Sequence, residues 1–161
     1  MRLGYVTAIF TAPAAAAPME ARPQVDAVAG EGLRGDRYCL SRGTYPSEKD
    51  RSHEVTLIES ESLAALERDV KITLAPGASR RNLVTTDVAL NHLVGRRFRV
   101  GAAVLEGVKL CEPCSYLEKL TKDGVKAGLV HRGGLSAKIL SAGRIRVGDA
   151  VVSEPPAGEA S

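Results

Sequence analysis

The sequence predicts a β-rich α/β fold, namely a strongly bent antiparallel or mixed β-barrel with a few short helices in its connections. Three observations predict this class. Short segments of alternating or β-branched apolar residues recur along the chain, and sixteen glycines punctuate them, often at turn positions. The segment RFRVGAAVL at 97–105 is also echoed by RIRVGDAVV at 144–152. Because Gly101 and Gly148 occupy the same place in the two copies, we interpret these as similar corners of one bent sheet.

The apolar pattern places the strands and the first helix in order along the chain. We expect strands at residues 3–10, 25–28, 55–58, 83–85, 98–105 and 145–152. The first helix should cover 61–70, with Ser60 as its N-cap and with Leu63, Leu66 and Val70 on one apolar face. Aliphatic side chains must fill the core, since the chain has four Tyr, two Phe and no Trp.

Two more short helices are predicted by their end signals. One should follow Thr86 or Asp87 and end at Gly95, which can take the left-handed conformation beyond a helix C-terminus. The other should begin at Pro113, because proline is favoured at the first helical position, and should stop near Gly124.

Length and composition indicate one globular domain. The 161 residues are 44% hydrophobic and 25% charged. We expect a single domain over 1–154 and a frayed tail over 155–161. No apolar run is long enough to span a bilayer, and three cysteines do not suit a disulfide framework. The N-terminus faintly resembles a signal peptide, but Thr7, Thr11 and Pro13 interrupt it, so we expect a cytoplasmic protein without a membrane partner.

Charge is distributed unevenly along the chain. Residues 1–79 hold 9 basic and 11 acidic groups, residues 80–146 hold 13 and 5, and residues 147–161 hold three acidic groups, so the blocks carry −2, +8 and −3. The basic middle block suggests a small anionic ligand, although a solvated basic face would give the same count. A net charge of +3 and few aromatic residues do not favour a nucleic-acid partner.

The sharpest local feature is the segment CEPC at 111–114. Pro113 at the first helical position would place Cys114 at the second, where free N–H groups and the helix dipole favour a thiolate. Such a thiolate could act as a nucleophile or as a soft metal ligand, whereas Cys111 lies outside the helix. A redox pair, a zinc site completed by the scattered Cys39, His53, His92 or His131, and a buried structural cysteine remain alternatives.

The segment PGASRRNL at 76–83 is a second candidate. If a strand begins at Arg80, then Arg80 and Asn82 point to one face and Arg81 to the other. An arginine beside an asparagine can hold a phosphate or a planar heterocycle. Arginines on a solvated edge strand are the alternative.

Two glycine-rich segments complete the set of candidates. In GEGLRGDR at 30–37, the glycines indicate a tight turn or a close ligand, while Asp36 is either functional or a turn residue in exposed ion pairs. In HRGGL at 131–135, Gly133 and Gly134 could let backbone N–H groups approach an anion, and His131 is more often structural.

Taken in order, these segments resemble the MOSC domain family, the module found at the C-terminus of molybdenum-cofactor sulfurases and as small bacterial proteins. The resemblance covers nearly the whole chain. It rests on GLRGDRY (32–38), VTLIESESLAAL (55–66), PGASRRNLVTTDVALNHLVGRRFRVGAAVLEG (76–107), CEPC (111–114) and GGLSAKILSAGRIRVGDAV (133–151). It implies a barrel-rich α/β fold, in agreement with the prediction above.

The resemblance also implies roles for the candidate residues. Cys114 matches the family's characteristic cysteine, which is proposed to carry a persulfide or to ligate molybdenum. Cys111, three residues earlier in the chain, could resolve a persulfide as a disulfide. The residues implied to hold the phosphate and pterin of a molybdenum-pterin cofactor, or to lie at the same mouth, are Arg80, Arg81, Asn82, Asp36, Arg132, Gly133 and Gly134.

Two functions follow from the resemblance. The first is a molybdenum-pterin oxidoreductase that acts on N-hydroxylated or oxidised small molecules, with Cys114 as the molybdenum ligand and an external reductase as partner. The second is a sulfur carrier that holds a persulfide on Cys114 and receives its sulfur from a cysteine desulfurase. The chain lacks the pyridoxal-phosphate domain and the iron–sulfur cysteine set of larger relatives, so neither of those cofactors is expected.

Overall fold

The computed structural model describes residues 2–37, 39 and 54–154. In these ranges the strands are β1 (Arg2–Thr11), β2 (Glu20–Arg22), β3 (Gln24–Val28), β4 (Gly32–Leu33), β5 (Val55–Glu59), β6 (Leu83–Thr86), β7 (Arg97–Val100), β8 (Ala103–Leu110), β9 (Leu135–Ser141), β10 (Gly143–Arg146) and β11 (Ala150–Ser153). The helices are α1 (Ser60–Val70), α2 (Ser115–Leu120) and α3 (Val125–Gly128), with single 3₁₀ turns at Pro76–Ser79 and Leu90–Leu93. Within those described ranges, no helix is both long and apolar enough to cross a membrane.

Seven of the described strands close into a barrel. Around the ring the order is β11, β7, β8, β9, β5, β6 and β1, and β1 pairs again with β11. The β5–β6 pair is parallel and the other six pairs of this ring are antiparallel. Strand β2 pairs with β1 as an extension of the ring. The predicted mixed β-barrel is therefore confirmed.

The two copies of the repeated segment lie in different parts of the fold. Residues 97–105 form the start of the β7–β8 hairpin within the barrel. Residues 144–152 instead lead from β10, which belongs to a separate small sheet with β3 and β4, into β11 of the barrel. Both glycines take a positive φ, 57° at Gly101 and 95° at Gly148. The glycine turns are thus as expected, but the interpretation of two corners of one sheet is wrong.

Two apolar clusters explain why the central strands are buried on both faces. Alternate residues of β5 and β6, such as Leu57 and Leu83, point into the barrel, where Phe98 is the largest fully buried side chain. Their neighbours Ile58 and Val84 point outward into a second cluster, which we call the outer cluster. The outer cluster is completed by apolar residues of α1, α2 and α3 and their connections, namely Leu63, Leu66, Leu74, Leu117, Val125 and Leu129.

Helix α1 begins one residue earlier than predicted. Strand β5 runs directly into it, so that Glu59 is the N-cap residue and Ser60 lies in the first turn. The Ser60 hydroxyl is 2.7 Å from the Thr86 hydroxyl instead of capping the helix. Val70 is 41% exposed, so the predicted apolar face ends with Leu66.

The other two predicted helices are shorter than expected. The segment after Thr86 forms only the 3₁₀ turn Leu90–Leu93, although Gly95 takes the predicted positive φ of 76°. The helix expected from Pro113 begins at Ser115 and ends at Leu120, and α3 follows as a separate turn. The predicted tail at 155–161 lies outside the described residues, and the single domain over 1–154 stays a prediction.

Candidate functional site

The segment 111–114 connects the end of β8 to α2. Cys111 and Cys114 are both half-buried, and Cys114 packs against the outer cluster. The Cys111 N–H donates to the Gly134 carbonyl at 2.8 Å, which draws this segment against the loop before β9. Cys114 has extended backbone angles, φ −131° and ψ 169°, and is the N-cap residue of the six-residue α2. The predicted second helical position for Cys114 is therefore wrong.

Arg81 joins the cysteine segment to the glycine loop. Its side chain is largely buried, and Nε donates to the Gly133 carbonyl at 2.8 Å while Nη2 donates to the Cys111 carbonyl at 3.0 Å. Within the described part of the chain, Nη1 has no hydrogen-bond partner and no carboxylate pairs with this guanidinium. A buried positive charge is therefore held beside Cys111 by two carbonyl dipoles.

The two glycines allow this close approach of the loops. A Cβ on Gly133 would lie 2.6 Å from the Cys111 carbonyl oxygen and 3.0 Å from Pro113 Cδ. Gly134 has a φ of 117°, and a Cβ there would lie 2.1 Å from the Leu57 carbonyl oxygen. A larger residue at Gly133 would push the loop away from the cysteine segment, and one at Gly134 would push it away from β5.

Arg80 lies apart from Arg81 because the expected strand does not begin at 80. Strand β6 begins at Leu83, and Arg80 takes a left-handed φ of 63° after the turn Pro76–Ser79, so the predicted alternation of 80–84 is wrong. Its Nη1 donates to the Ala17 carbonyl at 2.6 Å. Arg80 also lines a groove of about 510 Å³ whose walls are mainly apolar; the other lining residues are Phe10, Ala16, Pro18, Met19, Ala75, Pro76, Gly77, Ala78 and Leu120. Neither Arg81 nor Cys114 lines this groove.

Asn82 is fully buried and ties three strands together. Its Oδ1 accepts the Thr56 N–H at 3.0 Å and the Thr56 hydroxyl at 3.1 Å. Its Nδ2 donates to the Phe10 carbonyl at 3.1 Å. Because 0% of this residue is exposed, it offers no accessible atom to a cofactor in this conformation.

Asp36 has a similar place beneath the surface. Its Oδ1 accepts the Ala12 N–H at 3.0 Å and Arg37 Nη1 at 3.1 Å. Arg37 in turn donates from Nη2 to the Arg80 carbonyl at 3.0 Å. The pair is 0% and 4% exposed, so the expectation of exposed ion pairs at Asp36 is wrong. The network fixes the backbone at Arg80.

Arg132 binds helix ends together. Its Nε donates to the Gly128 carbonyl at 2.8 Å, and Nη1 lies 3.0 Å from Asp69 Oδ2 of α1. Arg68 also pairs with Asp69, at 2.7 Å. The hydrogen bonds from Arg68 and then from Arg132 hold the pKa of Asp69 well below its usual range.

The pairing of Glu112 with His131 is not predicted from the sequence. Glu112 Oε1 accepts the His131 N–H at 2.7 Å, and Oε2 lies 2.9 Å from His131 Nδ1. Both residues lie in segments that the sequence marks as candidates, Glu112 between the two cysteines and His131 at the start of the glycine loop. The sequence does not show, however, that these two segments are in contact. Within the described ranges, no group of three or more His, Cys, Asp or Glu residues is arranged to hold a metal ion.

Comparison with solved structures identifies this fold in other bacterial proteins. The YUAD protein from Bacillus subtilis superposes with a TM-score of 0.72 at 16% identity, over 94% of this chain and 97% of that one. YiiM from Geobacillus stearothermophilus gives 0.71 at 14% identity, over 94% and 75%. YiiM from Escherichia coli gives 0.67 at 14% identity, over 100% and 73%.

Comparison at the level of sequence completes the assignment. No curated protein matches the chain significantly. The family model described as the MOSC domain matches residues 44–152, which is more than half of the sequence and includes Arg80, Arg81, Asn82, Cys111 and Cys114. The chain therefore belongs to the MOSC domain family.

Proposed function

We propose that this MOSC protein binds a molybdenum-pterin cofactor, with the Cys114 thiolate as a ligand to molybdenum. The observation that carries the proposal is the buried guanidinium of Arg81, which has no carboxylate partner in the described ranges and lies against the segment that ends in Cys114. Burying an uncompensated charge is unfavourable, and an anionic ligand nearby would offset that penalty. A thiolate is a soft donor of the kind that suits such a metal.

The residues present fit such a group. The groove beside Arg80 has the volume of a typical small-molecule site, and its mainly apolar walls suit a planar ring system. Phe10 and Ala78 of the groove pack against the outer cluster, as does Cys114. Leu120, at the far end of α2 from Cys114, also lines the groove. The thiol and the groove therefore border the same apolar cluster.

Each predicted site residue receives a distinct role in this proposal. Cys114 would be the metal ligand, and Arg80 would face the cofactor across the groove. Arg81 would meet an anionic group of the cofactor and, with Gly133 and Gly134, holds the backbone around Cys111. The other residues hold backbone in place, Asp36 and Asn82 near Arg80 and Arg132 between α3 and α1. When bound, molybdenum would supply the two-electron chemistry that reduces an N-hydroxylated or oxidised small molecule, with electrons from an external reductase.

Metal content tests this proposal directly. The protein would be purified from a host that makes the cofactor, and its molybdenum would be measured by elemental analysis. We expect molybdenum in the wild type and in Cys111→Ser, the matched control, and a strong loss in Cys114→Ser. Wild-type protein as empty as Cys114→Ser, or Cys114→Ser as full as the wild type, would overturn the assignment.

A sulfur carrier is the second candidate, and the presence of Cys111 three residues before Cys114 favours it. The Cys114 thiolate would attack the terminal sulfur of a persulfide on a cysteine desulfurase. The sulfur–sulfur bond of the donor breaks, the donor cysteine leaves as a thiolate, and Cys114 becomes the persulfide with no net oxidation. The Cys111 thiolate could later attack the Sγ of Cys114, which forms a Cys111–Cys114 disulfide and releases the outer sulfur as hydrosulfide.

Mass spectrometry distinguishes the second candidate. After incubation with a cysteine desulfurase and cysteine, we expect a gain of about 32 Da, the mass of one sulfur, on the peptide that carries Cys114. The gain should persist in Cys111→Ser and disappear in Cys114→Ser. Its absence from the wild type would exclude the sulfur-carrier function.

A further inference from the structure

The segment from Cys111 to Cys114 is tied to the loop before β9 at two places. The first tie is at Cys111, whose N–H donates to Gly134 and whose carbonyl accepts from Arg81. The second is at Glu112, whose carboxylate accepts both the N–H and the imidazole Nδ1 of His131 across 19 residues of chain. Pro113, which follows, has no N–H to contribute.

His131, which donates hydrogen bonds to Glu112, has an uncommon backbone conformation. His131 has a φ of 64°, which is unfavourable for a residue with a Cβ. Its carbonyl accepts Asn91 Nδ2 at 2.8 Å, so side-chain hydrogen bonds reach the peptide groups on both sides of the residue. The contacts from Glu112 and Asn91 therefore hold His131 in a strained conformation beside the cysteine segment, which suggests that His131 helps to position that segment.

The two ties also constrain the backbone that carries the thiol. Cys114 is separated from Glu112 only by the buried Pro113, and Pro113 lies against the glycine loop, since its Cδ would be 3.0 Å from a Cβ on Gly133. A movement of Glu112 away from His131 would therefore carry Pro113 and the half-buried Cys114 with it. Exposed pairs of this kind contribute little to global stability, so the effect should be local.

We propose that Glu112 and His131 are positioning residues that form a latch on the Cys114 thiol, so that breaking their contact exposes the thiol without unfolding the protein. The inference rests on the proposed function only in taking Cys114 as the reactive group. Failure of the metal assay would leave the latch experiment interpretable, because that experiment uses metal-free protein.

The latch is tested by the alkylation rate of each cysteine in the full-length protein. A neutral alkylating reagent is used, and each site is followed by mass spectrometry. We expect Cys114 to react about fivefold faster in Glu112→Ala, which corresponds to about 1 kcal/mol of easier local opening. Cys39, whose pKa is raised chiefly by burial, serves as an internal reference and should keep its wild-type rate.

The matched control breaks an equivalent contact elsewhere. Glu61 accepts the Asp87 N–H at 2.9 Å, and Asp87 has a φ of 65°, so Glu61→Ala removes a carboxylate from a strained residue far along the chain from the cysteines. We expect Glu61→Ala to leave the Cys114 rate unchanged. In His131→Asn, asparagine tolerates the left-handed φ and keeps a side-chain donor for Glu112. The alkylation rate of Cys114 in this variant should therefore stay close to that of the wild type.

Each outcome decides the proposal. Acceleration of Cys114 in Glu112→Ala, with Glu61→Ala and His131→Asn at the wild-type rate, supports the latch. An unchanged rate in Glu112→Ala, or equal acceleration in Glu61→Ala, overturns it. If Glu112→Ala does not fold, Glu112→Gln, which keeps one acceptor, should give an intermediate rate, and a wild-type rate in that variant would overturn the proposal as well.

Discussion

Replacing Arg81 by methionine removes the guanidinium that links the cysteine segment to the glycine loop and keeps much of the side-chain volume. Two carbonyl groups, those of Cys111 and Gly133, would lose a charged donor at 3.0 and 2.8 Å. A buried acceptor left without a partner costs about 1–3 kcal/mol. Removing the buried charge returns part of this, because its own desolvation is then avoided. We expect a net loss of about 2–4 kcal/mol in the free energy of unfolding.

The assay is urea unfolding followed by circular dichroism, with thermal unfolding beside it. A loss of this size in a chain of 161 residues should lower Tm by about 5–10 °C. Arg97→Met is the matched control, since the Arg97 side chain is 64% exposed and lies 3.8 Å from Glu106. It should lose less than about 1 kcal/mol.

Equal stability of the two arginine variants would contradict this expectation. If Arg81→Met were as stable as Arg97→Met, the two carbonyl contacts would not outweigh the penalty of burying the charge. A second readout tests the charge itself. If Arg81 binds anions as proposed, phosphate should raise the Tm of the wild type and of Arg97→Met and should have no such effect on Arg81→Met.

Three further outcomes follow from the structure. Thr85→Val should raise stability by about 1 kcal/mol in urea unfolding, because the buried Thr85 hydroxyl has no hydrogen-bond partner within the described ranges; a loss would contradict this. Gly134→Ala should lower stability by about 2–4 kcal/mol in the same assay, because it combines a positive φ with a Cβ overlap of a β5 carbonyl; an unchanged midpoint would contradict it. NMR titration should show a pKa of Asp69 below the usual range of an aspartate, because Arg68 and then Arg132 stabilise its charged form, and a normal pKa would contradict this. The contribution of Asp69 to stability should be complete above its unfolded pKa and should be lost as the pH falls through its lower folded pKa.

The barrel could be predicted because it depends on local patterns that survive in the fold. Alternation in segments such as 97–105 reflects one face turned toward the core, and the glycines at 101 and 148 do take positive φ values. The assignment of both copies to one sheet failed because strand pairing is not local. Nothing in residues 144–146 shows that they pair with β3 and not with the barrel.

The candidate site was predicted as a set of residues but not as an arrangement. Arg80 and Arg81 were expected on opposite faces of a strand, whereas a left-handed residue at 80 sends one to the groove and the other to the cysteine segment. Asn82 looks like a polar ligand in the sequence, yet its amide satisfies the backbone and hydroxyl of Thr56 inside the structure. Which polar groups are already satisfied depends on contacts 26 or more residues apart, which no local pattern contains.

Arg81 also separates the two proposed functions on physical grounds. Its Nε and Nη2 donate to carbonyl oxygens of the two loops, so the positive charge both assembles the cysteine segment and remains without an acidic partner in the described ranges. A persulfide on Cys114 would bring one negative charge to this region, whereas a cofactor that bears a phosphate would bring more. The sulfur-carrier function therefore predicts that phosphate competes only weakly with Cys114 persulfide formation, since the sulfur bond is covalent and needs no anion site. The cofactor function predicts that phosphate in excess lowers the molybdenum retained by the wild type during dialysis. Retention that is independent of phosphate, together with persulfide formation on Cys114, would move the assignment to the sulfur carrier.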